Sequence, residues 1–546
     1  MSETYTTHTI GTNPILKMDY PDPDVIFVDG TFYMISTTMH YMPGAEILRS
    51  YDLINWEHET FVYDKLDSTE GQRLCDDKYI YGKGMWAATI RFHEGMFYVV
   101  FVCNDTGKTY LYRAESINGP WSKSEIEGFY HDCSLLFDGG KAYLVYGNTE
   151  VYLTELNEEM TGPKEGGLHR LIVSDKGNPN LGYEGSHLYK INGKYYLFFI
   201  HSLWDKWRRV EACFVADSLE GEFVGGDIFD DDMGFRNSGI AQGGIVEGPE
   251  GVWNAVLFQD SGAVGRIPVL VPVTWESEAG KAVIENEDRD TVKSRGGLIF
   301  GENGRAPEDL KTVNLKPGYA YKPLVDSDDF RYDIKKMFTE NKKDYGCFGL
   351  RSIWQFNHEP DMNLIESEPD EGRLWIKTDR LSENVFHARN TLTQRTTFPK
   401  STAEVTIDGS LLSDGDYAGL AAFQGDYALV GIRKEDGKLY AAMTSYTNDT
   451  GDVWKLGEGP GVIEEKIELS EESTLKVRVT VIYNDETGDR DAAICEIYDG
   501  EKFRQIGTEH KLRFRLDHFT GCRFGLFVYS EKTIGGKAGF SDFAYI

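Results

Sequence analysis

The sequence predicts an all-β protein in which a five-bladed β-propeller is followed by a C-terminal β-sandwich. Five similar hairpin patterns recur in the first half of the chain, and strand patterns of a different spacing follow in the second half. Helical periodicity is nearly absent from both halves. Because 546 residues exceed what one ordinary core holds, we expect at least two domains. The predicted ranges are 1–290 for the propeller, 291–325 for a linker and 326–546 for the sandwich.

Each hairpin pattern joins a turn dipeptide ending in glycine to an alternating strand that contains an aromatic residue. The five dipeptides are Asp29-Gly30, Glu94-Gly95, Gly139-Gly140, Asn192-Gly193 and Glu250-Gly251. Glycine at such a position tolerates the positive φ angles that two-residue hairpin turns require. The turn glycines are separated by 65, 45, 53 and 58 residues, which is close to the period of four-stranded propeller blades. An irregular β-sandwich with coincidental hairpins is the alternative.

Around residue 275 the hairpin pattern stops. A polar, charged and glycine-containing stretch follows, which is typical of an extended linker. Later segments such as GRLWIKT, YALVGIRK, LKVRVTVIY and RFGLFVYS have the pattern of strands in a second all-β domain. Eight or more such strands in this part of the chain favour a sandwich.

Composition and charge limit the class of partner. The formal net charge of −32 repels nucleic acid and anionic membrane surfaces, so neither is expected as a partner. The seven cysteines have no metal-ligand spacing, and the N-terminal segment has no secretory pattern. No apolar run reaches membrane-spanning length. We therefore expect a cytoplasmic protein with reduced thiols; a homo-oligomer is left open.

One phase of the repeat carries several acidic residues. Because the inner strand of each blade lines the central channel, residues at the same distance before each turn glycine should lie at the same radius. The residues eight or nine positions before these glycines are Asp22, Trp86, Asp132, Glu184 and Gln242. A single acidic residue is usually a solvated surface group, but three at one phase predict a shared pocket.

Three carboxylates in one pocket repel one another, so at least one pKa should rise and one should stay low. Glycoside hydrolysis needs such a pair, with a protonated acid for the leaving oxygen and an ionised base to activate water. Oxygen-rich clusters also bind Ca²⁺ or Mg²⁺, and the residues alone leave this alternative open.

Three segments carry these acids: NPILKMDYPDPDVIFVDGTFYMISTT, FYHDCSLLFD and GYEGSHLYKINGKYYLF. In order and spacing they resemble the motifs of glycoside hydrolase family 43, which comprises β-xylosidases, α-L-arabinofuranosidases and endo-arabinanases. The resemblance implies that Asp22 is the general base, that Glu184 is the general acid, and that Asp132 orients and tunes the acid. It covers the whole chain, since SIWQFNHEPDMN and ARNTLTQRT resemble parts of the sandwich of exo-acting members.

The resemblance implies an exo-acting, inverting glycosidase that releases single pentoses from xylo- or arabinoxylo-oligosaccharides. A β-xylosidase with α-L-arabinofuranosidase activity is the favoured form. The alternatives are an enzyme that is primarily an α-L-arabinofuranosidase and a carbohydrate-binding propeller without catalysis. A metal-dependent lyase or sulfatase-like hydrolase would need histidine clusters that the sequence lacks. No cofactor is expected, and a structural Ca²⁺ ion is left open.

Two members of the same repeat phase are neutral. Trp86 is expected to form a sugar-stacking wall, although the chain has Trp-Ala-Ala-Thr where many family members have Trp-Ala-Pro-Asp. Gln242 stands where other members place a histidine on the propeller axis. Since an amide is a poorer ligand for soft metals than imidazole, we expect no catalytic metal.

Four residues outside this phase are further candidates for substrate binding. Arg266, in QDSGAVGRIPVLVPVTW, is expected to contact substrate hydroxyls or the acid, with a surface ion pair as the alternative. His40 and Tyr41 resemble a loop that borders the sugar subsite, where Tyr41 could instead serve packing. His187 is either part of the pocket wall or a structural histidine.

Overall fold

The computed structural model describes residues 7–275, 296–340, 348–457, 459–469, 473–483 and 491–546. Within these ranges the predicted fold class is confirmed, because five four-stranded sheets form a propeller and two larger sheets form a sandwich. Among the described residues, no helix has both the length and the apolar character that crossing a membrane requires.

The propeller blades are antiparallel and follow one another along the chain. Strand β1 (His8–Thr12) precedes them, and β4 (Tyr41–Met42) leaves blade I for the sandwich. Blade I contains β2 (Asp24–Val28), β3 (Thr31–Ser36), β5 (Gly44–Ser50) and β6 (Glu57–Tyr63). Blade II contains β7 (Met85–His93), β8 (Met96–Cys103), β9 (Lys108–Ala114) and β10 (Ser122–Ile126).

The other three blades repeat this arrangement. Blade III contains β11 (Ser134–Asp138), β12 (Lys141–Asn148), β13 (Glu150–Glu155) and β14 (His169–Ser174). Blade IV contains β15 (Glu184–Ile191), β16 (Lys194–Ser202), β17 (Arg209–Ala216) and β18 (Val224–Phe229). Blade V contains β19 (Ile240–Glu247), β20 (Trp253–Asp260), β21 (Arg266–Trp275) and β22 (Leu298–Phe300).

All five predicted hairpins join the first two strands of a blade. In every one, both turn residues have positive φ, with values of 48–61° at the first residue and 74–80° at the second. This is the geometry of a type I′ turn, whose twist matches that of the flanking strands. The dipeptides that the sequence repeats therefore set the start of each blade.

The first strands of neighbouring blades lie against one another, and β19 contacts β2 to close the ring. Gly244 of β19 donates its N–H to Pro23 O at 3.0 Å across this closure. A side chain at Gly244 would approach Asp24 Oδ1 to 2.6 Å, so glycine permits the close contact. Five clusters of buried apolar residues fill the spaces between adjacent blades.

The sandwich packs two large sheets over one apolar core. The first sheet has the order β32 (Val462–Leu469), β31 (Lys438–Tyr446), β30 (Tyr427–Glu435), β29 (Asp416–Phe423), β37 (Arg523–Ser530), β27 (Leu392–Arg395), β24 (Gln355–Asn357) and β4. The second has the order β25 (Ile365–Glu368), β26 (Arg373–Lys377), β38 (Lys537–Tyr545), β28 (Lys400–Asp408), β33 (Thr474–Tyr483), β34 (Asp491–Tyr498) and β35 (Phe503–Gln505), with β36 (His510–Lys511) also paired to β34.

The segment between the domains contains regular structure. Strand β22 completes blade V, and β23 (Asp309–Val313) pairs with β1, although both fall in the range predicted as a linker. The helix α1 (Ile334–Glu340) follows. Part of the predicted linker lies outside the described residues, and the predicted domain boundaries stay a prediction.

The two domains share a sheet. Strand β4, from the loop after the first hairpin, pairs with β24 at the edge of the first sandwich sheet. Arg395 of β27 reaches back to the propeller, where it donates to Asp19 O at 2.8 Å and forms an ion pair with Glu46 at 2.7 Å. These buried contacts hold the sandwich against the part of the propeller that contains Asp19 and Glu46, close in sequence to Asp22.

Candidate active site

The five residues predicted from the repeat phase all line one cavity of about 230 Å³. The backbone leaves regular strand geometry at each of them. Three have positive φ, and the other two lie at register shifts in the strand pairing of β7 and β15. Bulges and positive φ angles re-aim side chains at the end of a strand and are enriched at functional sites. The irregular backbone turns these side chains toward the cavity.

Asp22 is buried between two donors. Thr37 Oγ1 donates to its Oδ2 at 2.7 Å, and Arg266 Nη1 donates to its Oδ1 at 2.8 Å. Each oxygen of the Asp22 carboxylate is thereby held in a fixed direction. An ionised carboxylate so oriented in a cavity can accept a proton from a water molecule.

Asp132 is a buried carboxyl group at the cavity, and its pKa rises. Burial raises its pKa to about 7, Glu184 and Asp22 add to the rise, and His131 and Arg266 oppose it. The sequence predicts such a rise from repulsion among three acids; in the structure burial is the larger cause, and that repulsion adds to it. Its backbone oxygen also accepts a hydrogen bond from Ser186 N at 3.2 Å, which ties Asp132 to the strand that begins with Glu184.

Glu184 accepts hydrogen bonds from two residues that sequence reasoning missed. His131 Nε2 lies 3.3 Å from Glu184 Oε2, and Asn148 Nδ2 donates to the same oxygen. Burial alone would lower the pKa of His131, but Asp132 and Glu184 outweigh it and raise that pKa to about 9. His131 directly precedes Asp132 in the quoted motif, and this adjacency was the available signal. Asn148 had no comparable signal.

Arg266 lines the cavity, and its ion pair is a buried one with Asp22 and not the surface pair considered as the alternative. Besides its ion pair with Asp22, its guanidinium stacks over the Phe519 ring at 4.7 Å from the centroid. Its buried Nε and Nη2 have no hydrogen-bond partner among the described residues. Since buried donors are normally satisfied, these two nitrogens are suited to binding a hydroxyl group in the cavity.

Gln242 and Trp86 also lie where the repeat predicts. The backbone N–H of Gln242 donates to Glu211 Oε2 at 2.7 Å, and burial raises the pKa of Glu211 well above its usual range. The Trp86 indole packs edge-on against His131 and Phe519, with ring centroids 5.6 and 5.8 Å away. Both residues form walls of the cavity.

The sandwich contributes part of the same wall. Trp454, Leu516 and Phe519 line the same cavity as the propeller residues. Asp19 fixes the loop that carries Phe519, because its Oδ2 accepts from Gly521 N and its Oδ1 accepts from Arg266 N, both at 2.8 Å. Sequence reasoning missed these three residues.

His40 and Tyr41, contrary to expectation, do not line the cavity. Both are fully buried at the junction of the domains, because β4 places Tyr41 in the sandwich sheet and His40 O accepts a hydrogen bond from His358 N at 3.2 Å. Arg523 lies over the Tyr41 ring at 3.5 Å from the centroid. His40 packs against Tyr41 with ring centroids 4.3 Å apart. The expected sugar contacts are thus replaced by contacts between domains.

His187 is buried beneath the cavity and does not line it. Its Nδ1 lies 3.1 Å from Gly185 O, and its Nε2 lies 3.6 Å from Asp24 Oδ1. Burial lowers its pKa. Of the two roles considered for His187, this position fits the structural one.

Among the described residues, one group of side chains has the spacing of a metal site. The candidate ligand atoms of His131, Asp132 and Glu184 all lie within 4.8 Å of one another. Metal binding requires a neutral imidazole nitrogen, so the raised pKa of His131 opposes it at neutral pH.

Comparisons with known proteins match both domains. The family model "Glycosyl hydrolases family 43" matches residues 11–279, and the model "Beta xylosidase C-terminal Concanavalin A-like domain" matches residues 346–546. A beta-xylosidase of Formosa agariphila is 25% identical, over 98% of this chain and 90% of its own length. A non-reducing end alpha-L-arabinofuranosidase of Bacteroides ovatus is 32% identical, over 49% of this chain and 52% of its own length.

Among solved structures, a bifunctional GH43-CE protein from Bacteroides eggerthii is similar with a TM-score of 0.83 and 36% identity. The match covers 99% of this chain, which spans 64% of the length of that protein. The family models, the fold and the three carboxyl groups at one cavity all indicate the same family. The chain is a glycoside hydrolase of family 43 that carries a beta-xylosidase-type concanavalin A-like domain at its C-terminal end.

Proposed function

We propose that the protein is an exo-acting, inverting glycosidase that releases single pentoses from xylo- or arabinoxylo-oligosaccharides. The observation that carries this proposal is a small cavity lined by Asp22, Asp132 and Glu184 and walled on one side by the sandwich. Its volume of about 230 Å³ is below the roughly 300–1,000 Å³ of pockets for drug-sized ligands, which suits one sugar unit. A pocket of this size favours cleavage at a chain end.

In the proposed reaction Asp22 takes a proton from a water molecule as that water attacks the anomeric carbon. Glu184 gives its proton to the glycosidic oxygen as the carbon–oxygen bond breaks. Asp132 supports Glu184 through the backbone bond to Ser186 and through its own charge, which changes near neutral pH. Arg266 orients Asp22 and offers two further donors to substrate hydroxyls.

Xylose is the favoured pentose, and arabinofuranose is the second candidate. One relative is named a beta-xylosidase and another an alpha-L-arabinofuranosidase, which supports retaining both sugars as candidate substrates. Rates of hydrolysis of an aryl β-D-xylopyranoside and an aryl α-L-arabinofuranoside, measured side by side, show which of the two pentoses the enzyme prefers. We expect faster release from the xyloside, and faster release from the arabinofuranoside would reverse the order.

Nuclear magnetic resonance of the first-formed sugar tests the mechanism. Inversion predicts that a β-xyloside yields α-xylose before mutarotation, whereas β-xylose as the first product would contradict inversion. Replacing the general acid in Glu184→Gln should lower kcat by roughly 10²-fold or more on substrates with poor leaving groups. If the wild-type protein releases neither sugar, the carbohydrate-binding alternative gains support.

We further propose that the hydrolytic step needs no metal ion. The proposed reaction uses the Asp22 and Glu184 carboxyl groups and one water molecule, and His131 Nε2 faces Glu184 Oε2 as its hydrogen-bond partner. Dialysis against EDTA should leave kcat within about twofold of the untreated enzyme. A large loss that added Ca²⁺ or Zn²⁺ restores would contradict this, while a lower melting temperature with unchanged kcat would indicate a structural ion.

A further inference from the structure

The two carboxylate oxygens of Glu184 have different surroundings. His131 Nε2 and Asn148 Nδ2 both face Oε2, whereas Oε1 accepts no hydrogen bond from any described residue. Both donors belong to blade III, since His131 precedes β11 and Asn148 ends β12. The backbone joins their positions, because Gly147 N donates to His131 O at 3.0 Å. Blade III therefore holds one oxygen of a side chain from blade IV.

The orientation of each donor is fixed by a further contact. Thr149 Oγ1 donates to Asn148 Oδ1 at 3.0 Å, which leaves the amide nitrogen directed at Glu184. The His131 ring packs edge-on against Trp86, with the centroids 5.6 Å apart. If Asn148 turned away from Oε2 it would lose its hydrogen bond with Thr149, and if His131 turned away it would lose its packing against Trp86.

The number of lone pairs then decides which oxygen carries the proton of the acid. A carboxyl oxygen has two lone-pair directions, and both of those on Oε2 face a donor. A proton on Oε2 would lie against one of these N–H groups. In the protonated acid the hydrogen therefore belongs on Oε1, the oxygen that remains free.

We propose that His131 and Asn148 are positioning residues that hold Glu184 Oε2, so that Oε1 is the atom that protonates the departing glycosidic oxygen. This inference rests on the proposed function of Glu184 as general acid. In the step, the Oε1–H bond breaks, the proton goes to the leaving oxygen, and the carbon–oxygen bond breaks as water attacks. Glu184 becomes a carboxylate, and the two donors at Oε2 bind that anion more strongly than the neutral acid.

Stabilisation that appears only as charge develops accelerates the chemical step. Its benefit depends on the leaving group, because an aryl alcohol that is already a good leaving group needs little protonation. Loss of the donors should therefore slow poor leaving groups strongly and good ones weakly. A defect in folding or in sugar binding would slow both to the same extent.

The test uses the full-length enzyme and a pair of aryl glycosides of whichever pentose the wild type releases, one with phenol and one with 2,4-dinitrophenol as leaving group. His131→Phe keeps an aromatic ring against Trp86 but removes the donor, and Asn148→Ala removes the other donor. For each variant we expect kcat for the phenyl glycoside to fall by roughly 10²-fold, with the dinitrophenyl glycoside within about threefold of wild type. His131→Gln, which restores an N–H donor, should recover part of the loss.

Asn118→Ala is a matched control, because Asn118 also donates to a glutamate, Glu59, but lies outside the catalytic cavity. It should change neither rate. The pH profile gives a second readout: Asp132, Glu184 and Asp22 face His131, and Arg266 faces Asp132. Removing the His131 charge should move the basic limb of the kcat/KM profile to higher pH.

Equal losses for both leaving groups in a folded, active variant would overturn the positioning role. Unchanged kcat for the phenyl glycoside in His131→Phe would overturn it as well. Failure of the wild type to cleave any aryl pentoside is a separate result, because it would reject the proposed function itself.

Discussion

The two domains meet at one cavity but line it with different chemistry. The propeller supplies the charged groups, including Asp22, Glu184 and Arg266, whereas the sandwich supplies Trp454, Leu516 and Phe519. The charged side lies at the ends of repeated strands, where blade geometry fixes each side chain. The apolar residues that the sandwich adds come from its loops, whose position depends on contacts between domains, and propeller residues such as Trp86 extend the apolar wall. The comparison indicates that the propeller performs the chemistry and that the sandwich shapes and closes the site.

The largest expected effect on activity comes from a substitution among the charged residues of the propeller. Asp22→Ala removes the proposed general base, which accepts bonds from Thr37 and Arg266, and should lower kcat by about 10³-fold. Steady-state rates on an aryl xyloside measure the loss. Asp138→Ala is the control, because Asp138 ends the strand that follows Asp132 and pairs with Lys190 away from the cavity. Comparable losses in both variants would argue against a specific role for Asp22.

A smaller effect is expected from the apolar side. Phe519→Ala removes the ring that lies against both Arg266 and Trp86, and it opens the cavity to water. We expect kcat/KM to fall by roughly 10–100-fold, about 1.4–2.7 kcal/mol of transition-state stabilisation. In the control Phe503→Ala, the ring removed lies on Arg478 at the second sandwich sheet. Full activity of Phe519→Ala would show that the sandwich does not contribute to the reaction.

The difference between the two sides also explains what the sequence could predict. The turn glycines, such as Gly30 and Gly193, mark positive-φ turns by local chemistry, and counting back from them locates the acids. His131 was within reach because it adjoins Asp132. Phe519 could not be predicted in this way. It contacts Arg266, which lies more than two hundred residues earlier in the chain, and no local pattern encodes that contact.

The same reason explains why His40, expected at the sugar site, lies buried at the domain junction, and why Tyr41 takes the packing role that the sequence left open. Their loop follows the first hairpin, so position along the chain suggested a place at the sugar site. In the fold, β4 instead pairs with a sandwich strand that lies more than three hundred residues later. Long-range pairing of this kind depends on how two domains dock and has no short-range signal.

This docking buries a cluster of three imidazoles at the junction. The ring of His40 lies 5.0 Å from that of His358 and 4.9 Å from that of His518, measured between centroids. His358 Nε2 accepts a hydrogen bond from Ile80 N at 3.0 Å, which requires an unprotonated nitrogen. Tyr41, Tyr81 and the cationic Arg523 surround the cluster.

The smallest expected effect concerns this cluster and appears only in acid. Burial lowers the pKa of His40 and His358 well below 6.5 and lowers that of His518 to about 3. The unfolded chain takes up protons first, so stability is greatest above pH 6.5 and is lost as the pH falls below it. At pH 5.5, below the ordinary pKa of a histidine, each group should lower the free energy of unfolding by on the order of 1 kcal/mol.

His40→Phe tests this contribution, because both ring nitrogens of His40 lack a hydrogen-bond partner among the described residues and a phenyl ring can occupy the same space. In denaturant unfolding we expect little change in stability at pH 8 and a smaller acid-induced loss at pH 5.5, by on the order of 1 kcal/mol. His93→Phe, at a partly exposed ring that stacks on Phe137, is the matched control for replacing an imidazole by a phenyl ring outside the junction. If the stability of His40→Phe depends on pH as that of the wild type does, protonation of His40 is not a cause of the loss of stability in acid.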